Sequence, residues 1–365
     1  MPTRILAAGE PAPWFHCRSQ ANPDFAFDTV AGRYVMLCFF GSAAQPLAAE
    51  VLEHIQRQRQ CFDDSNASFF GVTVDPEDER QQRVADTLPG LRFFWDFDRK
   101  VSRLYGAQGA DGHYHPATFL LDARLRILAI LPITQAAEHV AQVIGLIQRL
   151  PAIAPPCPAV MQAPVLVVPR IFEPELCQRL IALYEERGGF DSGFMQDQDG
   201  KTVTVHKHSH KRRRDHIIED EEMREACLDR IRRRLLPEIH KAFQFSASHI
   251  ERYLVACYDG EEGGHFRPHR DNTTKGTAHR RFAVSLFLNS GAYEGGHLRF
   301  PEFGNSLYSA PSGGAVVFSC SLLHEATPVT RGKRYMFLPF LYDQSGRQIR
   351  EANLKYLEDS DEQQA

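Results

Sequence analysis

The sequence lacks three features, each of which would have indicated a particular class of protein. Its eight cysteines include no C-x-x-C pair and no spacing typical of a disulfide framework, which argues against a secreted disulfide scaffold. No apolar run approaches the roughly 20 residues that a membrane-spanning helix needs. Residues 1–15 also lack the apolar core of a signal peptide. We therefore expect a cytoplasmic protein with no membrane partner.

The length and one Pro-rich segment predict two domains. A chain of 365 residues exceeds the usual size of one domain. Residues 150–164 contain five prolines and show no periodicity, which is typical of a stiff, extended linker. We place a first domain at 1–150, the linker at 151–164, and a second domain at 165–350. An acidic tail, 351–365, follows.

Two histidines and one aspartate stand at predicted strand ends in the C-terminal third. His269 and Asp271 form an H-x-D motif between the strand-like runs ERYLVACYDG and RRFAVSLFLN, and His324 closes the run AVVFSCSLLH. An H-x-D motif places both side chains on the same face of an extended chain. Two imidazoles and one carboxylate form the facial triad that holds non-haem Fe(II) and leaves coordination positions open. The pattern predicts an Fe(II) site at the mouth of a small β-barrel.

Arg334 follows His324 by ten residues and opens the next strand-like run, RYMFLPFLY. Its guanidinium is a permanently charged, planar fork that suits a carboxylate. The alternative interpretation is that such residues are ordinary polar groups at strand boundaries. We prefer that interpretation for His265, His279 and His297, because none of them has a partner at ligand spacing.

The C-terminal segments together resemble the prolyl-4-hydroxylase-like branch of the Fe(II)/2-oxoglutarate dioxygenases. The resemblance spans about 165–345 and rests on YDGEEGGHFRPHRDN, FLNSGAYEGGHLRFPEFG and APSGGAVVFSCSLLHEATPVTRGKRYMFLPF, in this order. It implies a double-stranded β-helix (jelly-roll) domain with flanking helices. It also implies that His269, Asp271 and His324 bind Fe(II), and that 2-oxoglutarate and O2 are co-substrates.

The same resemblance implies roles for residues outside the triad. Arg334 would bind the distal carboxylate of 2-oxoglutarate, and Tyr258 would hydrogen-bond the co-substrate. Phe266 stands where many members carry a tyrosine, so a polar contact from that position is absent. The intact Asp271 favours hydroxylation over halogenation, because related halogenases replace this carboxylate. Ascorbate is a candidate reductant, and the primary substrate is left open among a protein side chain, an amino acid and a small metabolite.

Residues 1–150 alternate apolar strands with helical stretches, which predicts an α/β fold. The segments VMLCFFGSAAQP, FFGVTVDPE, WDFDRKVSRLYGA and PATFLLDARLRIL resemble the peroxiredoxin-like branch of the thioredoxin fold, and Pro116 matches its cis-proline. A reactive cysteine is expected at a helix N-terminus, where the dipole lowers its pKa. Ala44 and Leu47 occupy those positions. We predict a redox-inactive domain that positions substrate, forms a homodimer or stabilises the oxygenase.

Two other classes of function remain as alternatives. A thiol peroxidase or disulfide reductase would act through the N-terminal domain, but Cys38 lies within an apolar strand and Cys61 at the far end of the helix. A non-catalytic binding protein is the third class. The complete set of candidate iron ligands, together with Arg334, argues against it.

One basic run, HKHSHKRRRDH at residues 206–216, remains. It holds five Lys or Arg residues and four histidines but no aromatic side chain for base stacking. The net charge of −4 likewise gives no general attraction to polyanions, so we expect no nucleic-acid partner. We interpret the run as a solvated loop. The alternative is a basic lid over the iron site, which would favour an acidic substrate.

Overall fold

The computed structural model describes residues 5–159 and 161–357. The chain divides into two compact units, Met1–Cys157 and Pro158–Ala365. Across the described residues, no helix is both long enough and apolar enough to cross a bilayer.

The first unit is built on a five-stranded mixed sheet. Its strands, in spatial order, are Leu91–Trp95, Ala67–Thr73, Tyr34–Gly41, Ala117–Leu121 and Ile127–Pro132. The first three run parallel to one another, the fourth pairs antiparallel with the third, and the fifth pairs antiparallel with the fourth. Four helices accompany the sheet, at Pro46–Arg57, Pro76–Arg80, Lys100–Leu104 and Ala136–Arg149. This order confirms the predicted α/β, thioredoxin-like fold.

The central strand, Tyr34–Gly41, is buried along its whole length. Side chains alternate between the two faces of a strand. Val35 and Leu37 accordingly enter the core on one face of the sheet, whereas Met36 and Cys38 enter the core on the other. A continuous apolar run is therefore what this strand requires, since both faces are covered.

One detail of the expected thioredoxin-like site is wrong. The peptide bond before Pro116 is trans; among the described residues the cis peptide is Leu88–Pro89. Pro116 still precedes the strand Ala117–Leu121 and accepts a backbone hydrogen bond from Ile133. The resemblance located the correct strand but not this backbone geometry.

The second unit contains two β-sheets that share one core. The larger sheet has the order His249–Glu251, Phe340–Tyr342, Phe282–Phe287, Lys333–Phe337, Leu254–Asp259, Arg214–Ile217 and Phe190–Asp191, with Ala315–Ser319 pairing both Phe282–Phe287 and Leu166–Val168. The smaller sheet has the order Lys211–Arg212, His265–His269, His324–Ala326, Leu298–Arg299 and Leu307–Tyr308. All of these pairings are antiparallel.

Apolar side chains from both sheets meet in one cluster, as Phe287 and Phe318 of the larger sheet do with Leu298 and Ala326 of the smaller. The outer face of the larger sheet packs instead against helices. These helices are Pro174–Arg187, Glu221–Arg230 and Leu236–Phe243, with a π-helical turn at Ile231–Leu235. The arrangement confirms the predicted jelly-roll with flanking helices.

Smaller elements complete the second unit. They are the hairpin Phe194–Gln198 with Lys201–Val205, the strand pair Glu294–Gly295 with Val329–Arg331, the helix Gln344–Asn353, and 3-10 turns at Lys275–Thr277, Pro301–Phe303 and Leu354–Tyr356. The hairpin pairs with neither sheet.

The predicted linker and tail are only partly described. Residues 151–159 and 161–163 form no helix or strand. Near the linker's start, the hydroxyl of Tyr34 donates to the carbonyl of Pro151, at 2.7 Å. The predicted acidic tail, 351–365, begins inside the helix Gln344–Asn353, and its part from 358 onward lies outside the described residues.

Candidate active site

Strand pairing brings the three predicted metal ligands together in the smaller sheet. His269 ends the strand His265–His269 and lies directly opposite His324, the first residue of its own strand. Asp271 follows two residues after His269, and its backbone N–H donates to the carbonyl of Cys320 at 3.0 Å. A cross-strand pair on one face brings its two side chains close. The H-x-D motif then adds the carboxylate at the same sheet edge.

The donor atoms of this cluster converge on one point. The Oδ1 atom of Asp271 lies 3.5 Å from Nε2 of His269, and its Oδ2 atom lies 3.3 Å from Nε2 of His324. One ligand atom from each residue lies within 4.8 Å of the others. Among the described residues, no other group of three such side chains meets this criterion.

Hydrogen bonds fix how both imidazoles present their nitrogens. Nδ1 of His269 donates to the carbonyl of Arg267 at 2.7 Å, and Nδ1 of His324 donates to that of Leu322 at 3.0 Å. The proton is thus held at Nδ1, and the Nε2 lone pair of each ring is directed to the carboxylate. Metal-binding histidines are commonly oriented in this way by a carbonyl acceptor.

The environment keeps His324 neutral. Burial, and then the neighbouring His269, lowers the pKa of His324 to about 4. A neutral imidazole is the form that ligates a metal. Aromatic rings pack around the pair: Phe266 stacks on His269 with ring centres 3.5 Å apart, and Phe318 lies 4.5 Å from His324. The donor set therefore fits an Fe(II) ion with open coordination positions.

Arg334 lies on the larger sheet, directly opposite Tyr258 in the pairing of Lys333–Phe337 with Leu254–Asp259. Its side chain is 1% exposed, and its guanidinium carbon lies 4.9 Å from the centre of the Tyr258 ring. Within the described residues no carboxylate lies within 4 Å of it, and its Nε atom is buried without a hydrogen-bond partner. A buried charge of this kind is costly without a counter-ion. The position therefore calls for an anionic ligand.

Gly296 makes room for the Arg334 side chain. Its φ of +63° lies in the left-handed region that favours glycine, and a Cβ atom there would lie 2.7 Å from Cδ of Arg334. Two other candidate arginines of this unit, Arg299 and Arg331, are already paired. Arg299 contacts Glu325 at 2.5 Å, and the exposed Arg331 contacts a surface glutamate. Arg334 is thus the best-placed arginine for a co-substrate carboxylate.

All five sequence-predicted site residues line one cavity of about 490 Å³ in the second unit. They are Tyr258, His269, Asp271, His324 and Arg334. This volume falls within the range of about 300–1,000 Å³ that is usual for small-molecule sites. The cavity joins the metal-ligand cluster on the smaller sheet to the buried guanidinium on the larger sheet.

Two histidines that we interpreted as ordinary polar residues have structural partners. His279 is buried and hydrogen-bonds Glu251 at 2.7 Å, while Nδ1 of His265 donates to the carbonyl of Gly263 at 2.8 Å. His297, like these two, lies outside the metal-ligand cluster.

The interpretation of residues 206–216 as a solvated loop is wrong for residues 211–215. Lys211–Arg212 and Arg214–Ile217 are short strands with Arg213 between them, and Lys211, Arg213 and Asp215 are buried and line the cavity. Arg214, between the last two, is exposed. The signal was the alternation itself, since every second residue of a strand faces the same side. A run of basic residues masked it, because Lys and Arg are rarely buried.

The loop in the first unit that would carry a reactive cysteine is held by polar contacts. The hydroxyl of Ser42 donates to Asp75 at 2.6 Å, and the N–H of Ala43 donates to Asp78 at 2.9 Å. Two cysteines lie in nearby elements. Burial raises the pKa of the Cys38 thiol to about 12 and also raises that of Cys61. Neither has the low pKa that a reactive thiol needs.

Comparison with known proteins assigns a family to each unit. Residues 253–342 match the 2OG-Fe(II) oxygenase superfamily, and residues 8–130 match the AhpC/TSA family. The chain therefore combines an AhpC/TSA (peroxiredoxin-like) domain with a 2OG-Fe(II) oxygenase domain, which confirms the predicted fusion.

Curated relatives match the oxygenase part. A PKHD-type hydroxylase of Synechococcus sp. (strain JA-2-3B'a(2-13)) is 33% identical over 92 residues, which cover 24% of this chain and 40% of the relative. PKHD-type hydroxylase PiuC of Pseudomonas aeruginosa is 29% identical over 181 residues, which cover 47% of this chain and 75% of the relative. The chain thus spans less than half the length of the Synechococcus protein.

Solved structures resemble each unit. A prolyl hydroxylase from Trichoplax adhaerens, in complex with a hypoxia inducible factor peptide fragment, aligns with 51% of this chain and 86% of its own, at 19% identity and a TM-score of 0.39. AhpC of Mycobacterium tuberculosis aligns with 40% of this chain and 95% of its own, at 17% identity and a TM-score of 0.33.

Proposed function

We propose that this protein is an Fe(II)- and 2-oxoglutarate-dependent dioxygenase that hydroxylates a protein side chain or a small molecule. The observation that carries the proposal is the combination, in one cavity, of a His-Asp-His cluster and a buried arginine without a carboxylate partner. The cluster provides the ligands for Fe(II), and the arginine provides the counter-charge for a dicarboxylate. The match of residues 253–342 to the 2OG-Fe(II) oxygenase superfamily supports the same reading.

The roles of the residues follow from their contacts. His269, Asp271 and His324 would hold Fe(II) through two Nε2 atoms and a carboxylate, leaving positions for 2-oxoglutarate and O2. When bound, the metal supplies the activation of O2, coupled to decarboxylation of 2-oxoglutarate to succinate and CO2. Arg334 would bind the distal carboxylate of the co-substrate, and Tyr258, packed against the guanidinium, would help to orient it. The rings of Phe266 and Phe318 would keep bulk water away from the ligand imidazoles.

The first test is co-substrate turnover by the full chain. Supplied with Fe(II), 2-oxoglutarate, ascorbate and air, the protein should form succinate, because decarboxylation of the co-substrate would precede attack on the primary substrate. Omission of iron, addition of a chelator, or removal of O2 should each reduce succinate to the background, as followed by proton NMR. The proposal fails if the protein neither binds Fe(II) nor consumes 2-oxoglutarate.

The first unit should show no thiol-dependent peroxidase activity. We expect the metal-free protein to consume hydrogen peroxide with a thiol donor no faster than the uncatalysed mixture does. The reason is local: Ala44 and Leu47 stand where a thiolate is needed, and burial raises the pKa of both nearby thiols. Peroxide consumption that disappears in Cys38→Ser or Cys61→Ser would instead make this unit a peroxidase.

A further inference from the structure

Cationic side chains outnumber carboxylates on the cavity wall by seven to three. Two of the carboxylates are paired within the wall: Asp215 with Arg213, and Glu251 with Arg280. The third, Asp271, belongs to the candidate metal cluster. One of the seven cations, Arg270, pairs with Glu302 at 2.8 Å, outside the wall. A bound Fe(II) ion and a 2-oxoglutarate dianion carry equal and opposite charges, so the loaded cavity would keep the rest of its positive excess. Something other than the co-substrate is needed to balance it.

Apart from Arg334, Lys211 is the most buried cation of the cavity wall that has no carboxylate partner among the described residues. It is 4% exposed, and its amine donates to the hydroxyl of Ser192, at 2.7 Å, and to the carbonyl of Gly193. Both acceptors are neutral, and in the described part of the chain no carboxylate lies within 4 Å of the amine. Burial, and then the charge of Arg213, holds the pKa of Lys211 well below its usual range. An anion beside the amine would reverse that effect.

Lys211 and the co-substrate arginine, Arg334, lie on different sheets. Lys211 belongs to the smaller sheet and lies directly opposite Phe266, whose ring centre is 5.1 Å from the amine. That ring stacks in turn on His269. The amine therefore lies one aromatic ring beyond the metal cluster on the smaller sheet, whereas Arg334 approaches from the larger sheet. The two cations suit two different ligands.

A second cation with no carboxylate partner, Arg252, also lines the cavity. Its guanidinium lies 4.2 Å from the centre of the Phe340 ring, and its Nε atom is buried without a hydrogen-bond partner. Its guanidinium donates one long hydrogen bond, of 3.4 Å, to the carbonyl of Leu338. Its φ of +69° is one that non-glycine residues rarely adopt. Such strained residues cluster at ligand sites, and the charge of Arg252 also acts on Lys211.

We propose that the primary substrate carries an oxyanion, a carboxylate, phosphate or sulfate, which binds Lys211 with Arg252 as a supporting cation. This inference rests on the proposed function, since it assigns the substrate of that same cavity. Phe266, whose ring is 5.1 Å from the amine, lines the cavity together with Phe194 and Met195, so the part of the substrate that approaches the metal would be apolar. The substrate would thus be an amphipathic acid or an acidic segment of a protein.

The test uses the full chain, loaded with Fe(II) and 2-oxoglutarate without oxygen. Inorganic phosphate, sulfate and acetate are titrated separately by calorimetry, and their relative affinities identify the oxyanion class. We expect at least one to bind with a stoichiometry of one. Lys211→Met should weaken that binding about ten- to a hundred-fold, the usual worth of a charge-assisted hydrogen bond. Lys211→Arg should retain a larger share of it.

Lys207→Met is the matched control, because Lys207 is an exposed lysine in the same segment. It should bind the probe as the wild type does. Melting temperature is the second readout: the loss of a buried cation without a carboxylate partner should leave the Lys211→Met fold as stable as the wild type or more so. A clear fall in melting temperature with unchanged probe binding would assign Lys211 a structural role and overturn the proposal.

Three further results would also overturn it. In the first, the wild type binds none of the three anions. In the second, the probe still binds Lys211→Met because it binds at the metal. In the third, Lys211→Met loses affinity for 2-oxoglutarate by as much as it loses affinity for the probe. Failure of the proposed function looks different. A protein that binds the probe through Lys211 but forms no succinate would keep the anion site and lose the dioxygenase assignment.

Discussion

Replacement of Asp271 by alanine is expected to abolish Fe(II) binding, and with it all 2-oxoglutarate turnover. Its carboxylate is the one anionic donor of the cluster and lies within 3.5 Å of both imidazole Nε2 atoms. Without it, two neutral rings must hold a divalent cation. Mutation of a residue that only supports a metal ligand costs about ten- to a hundred-fold in affinity, so loss of a ligand should cost more. Iron content after anaerobic loading and desalting measures the effect, and succinate formation provides the second readout.

His324→Ala should behave in the same way, and His297→Ala is its matched control. His297 is also a histidine of the oxygenase unit but lies outside the metal-ligand cluster. A melting curve for each variant separates loss of metal from loss of fold. Full iron occupancy in either Asp271→Ala or His324→Ala would show that the metal binds elsewhere.

The candidate ligands could be predicted from the sequence because their geometry is local or nearly so. The H-x-D spacing of His269 and Asp271 fixes their shared face without any knowledge of the fold. To predict His324 as the third ligand required one long-range fact, the pairing of its strand with His265–His269. The resemblance to a known family supplied that fact in advance. The role of Arg334 was predicted from the same resemblance, but only the structure shows that no carboxylate lies beside it among the described residues.

The buried cations could not be predicted in this way. Whether Lys211 and the adjoining Arg213 face solvent depends on how the flanking strands pair with strands some 50 residues later in the chain, at His265–His269 and Leu254–Asp259. Lys and Arg are rarely buried, so composition favoured a solvated loop. The sequence does place Lys211, Arg213 and Asp215 at every second position, but this spacing predicts a shared face only if the segment is already known to be extended. The error therefore included Lys211, the residue that we propose to bind the anionic group of the substrate.

Such local contradictions mark functional positions. A protein stabilised only for folding would not bury Lys211 or Arg334 without acidic partners, because each buried charge costs free energy of folding. The rest of the oxygenase unit follows ordinary rules, with apolar side chains between the sheets and paired charges such as Arg280 with Glu251. Residues that break a local rule without an evident structural gain are the ones to examine for ligand binding.

Arg334→Met should raise the KM for 2-oxoglutarate about ten- to a hundred-fold while leaving Fe(II) binding intact. A charge-assisted hydrogen bond contributes about 1.5–3 kcal/mol, which corresponds to that range of affinity. The same substitution should not destabilise the co-substrate-free protein. Methionine removes a buried guanidinium that has no carboxylate within 4 Å in the described residues, and it keeps much of the apolar stem.

Stability therefore separates a ligand-binding role from a structural one. Adding 2-oxoglutarate should raise the melting temperature of the iron-loaded wild type, because a ligand that binds only the folded state stabilises it. Arg334→Met should lose most of that increase, whereas Arg331→Met, which removes an exposed arginine already paired with Glu294, should keep all of it. A KM that does not change in Arg334→Met, or one that rises equally in Arg331→Met, would place the carboxylate site elsewhere. A buried cation kept at a cost in folding energy is explained only if its counter-ion arrives with the co-substrate.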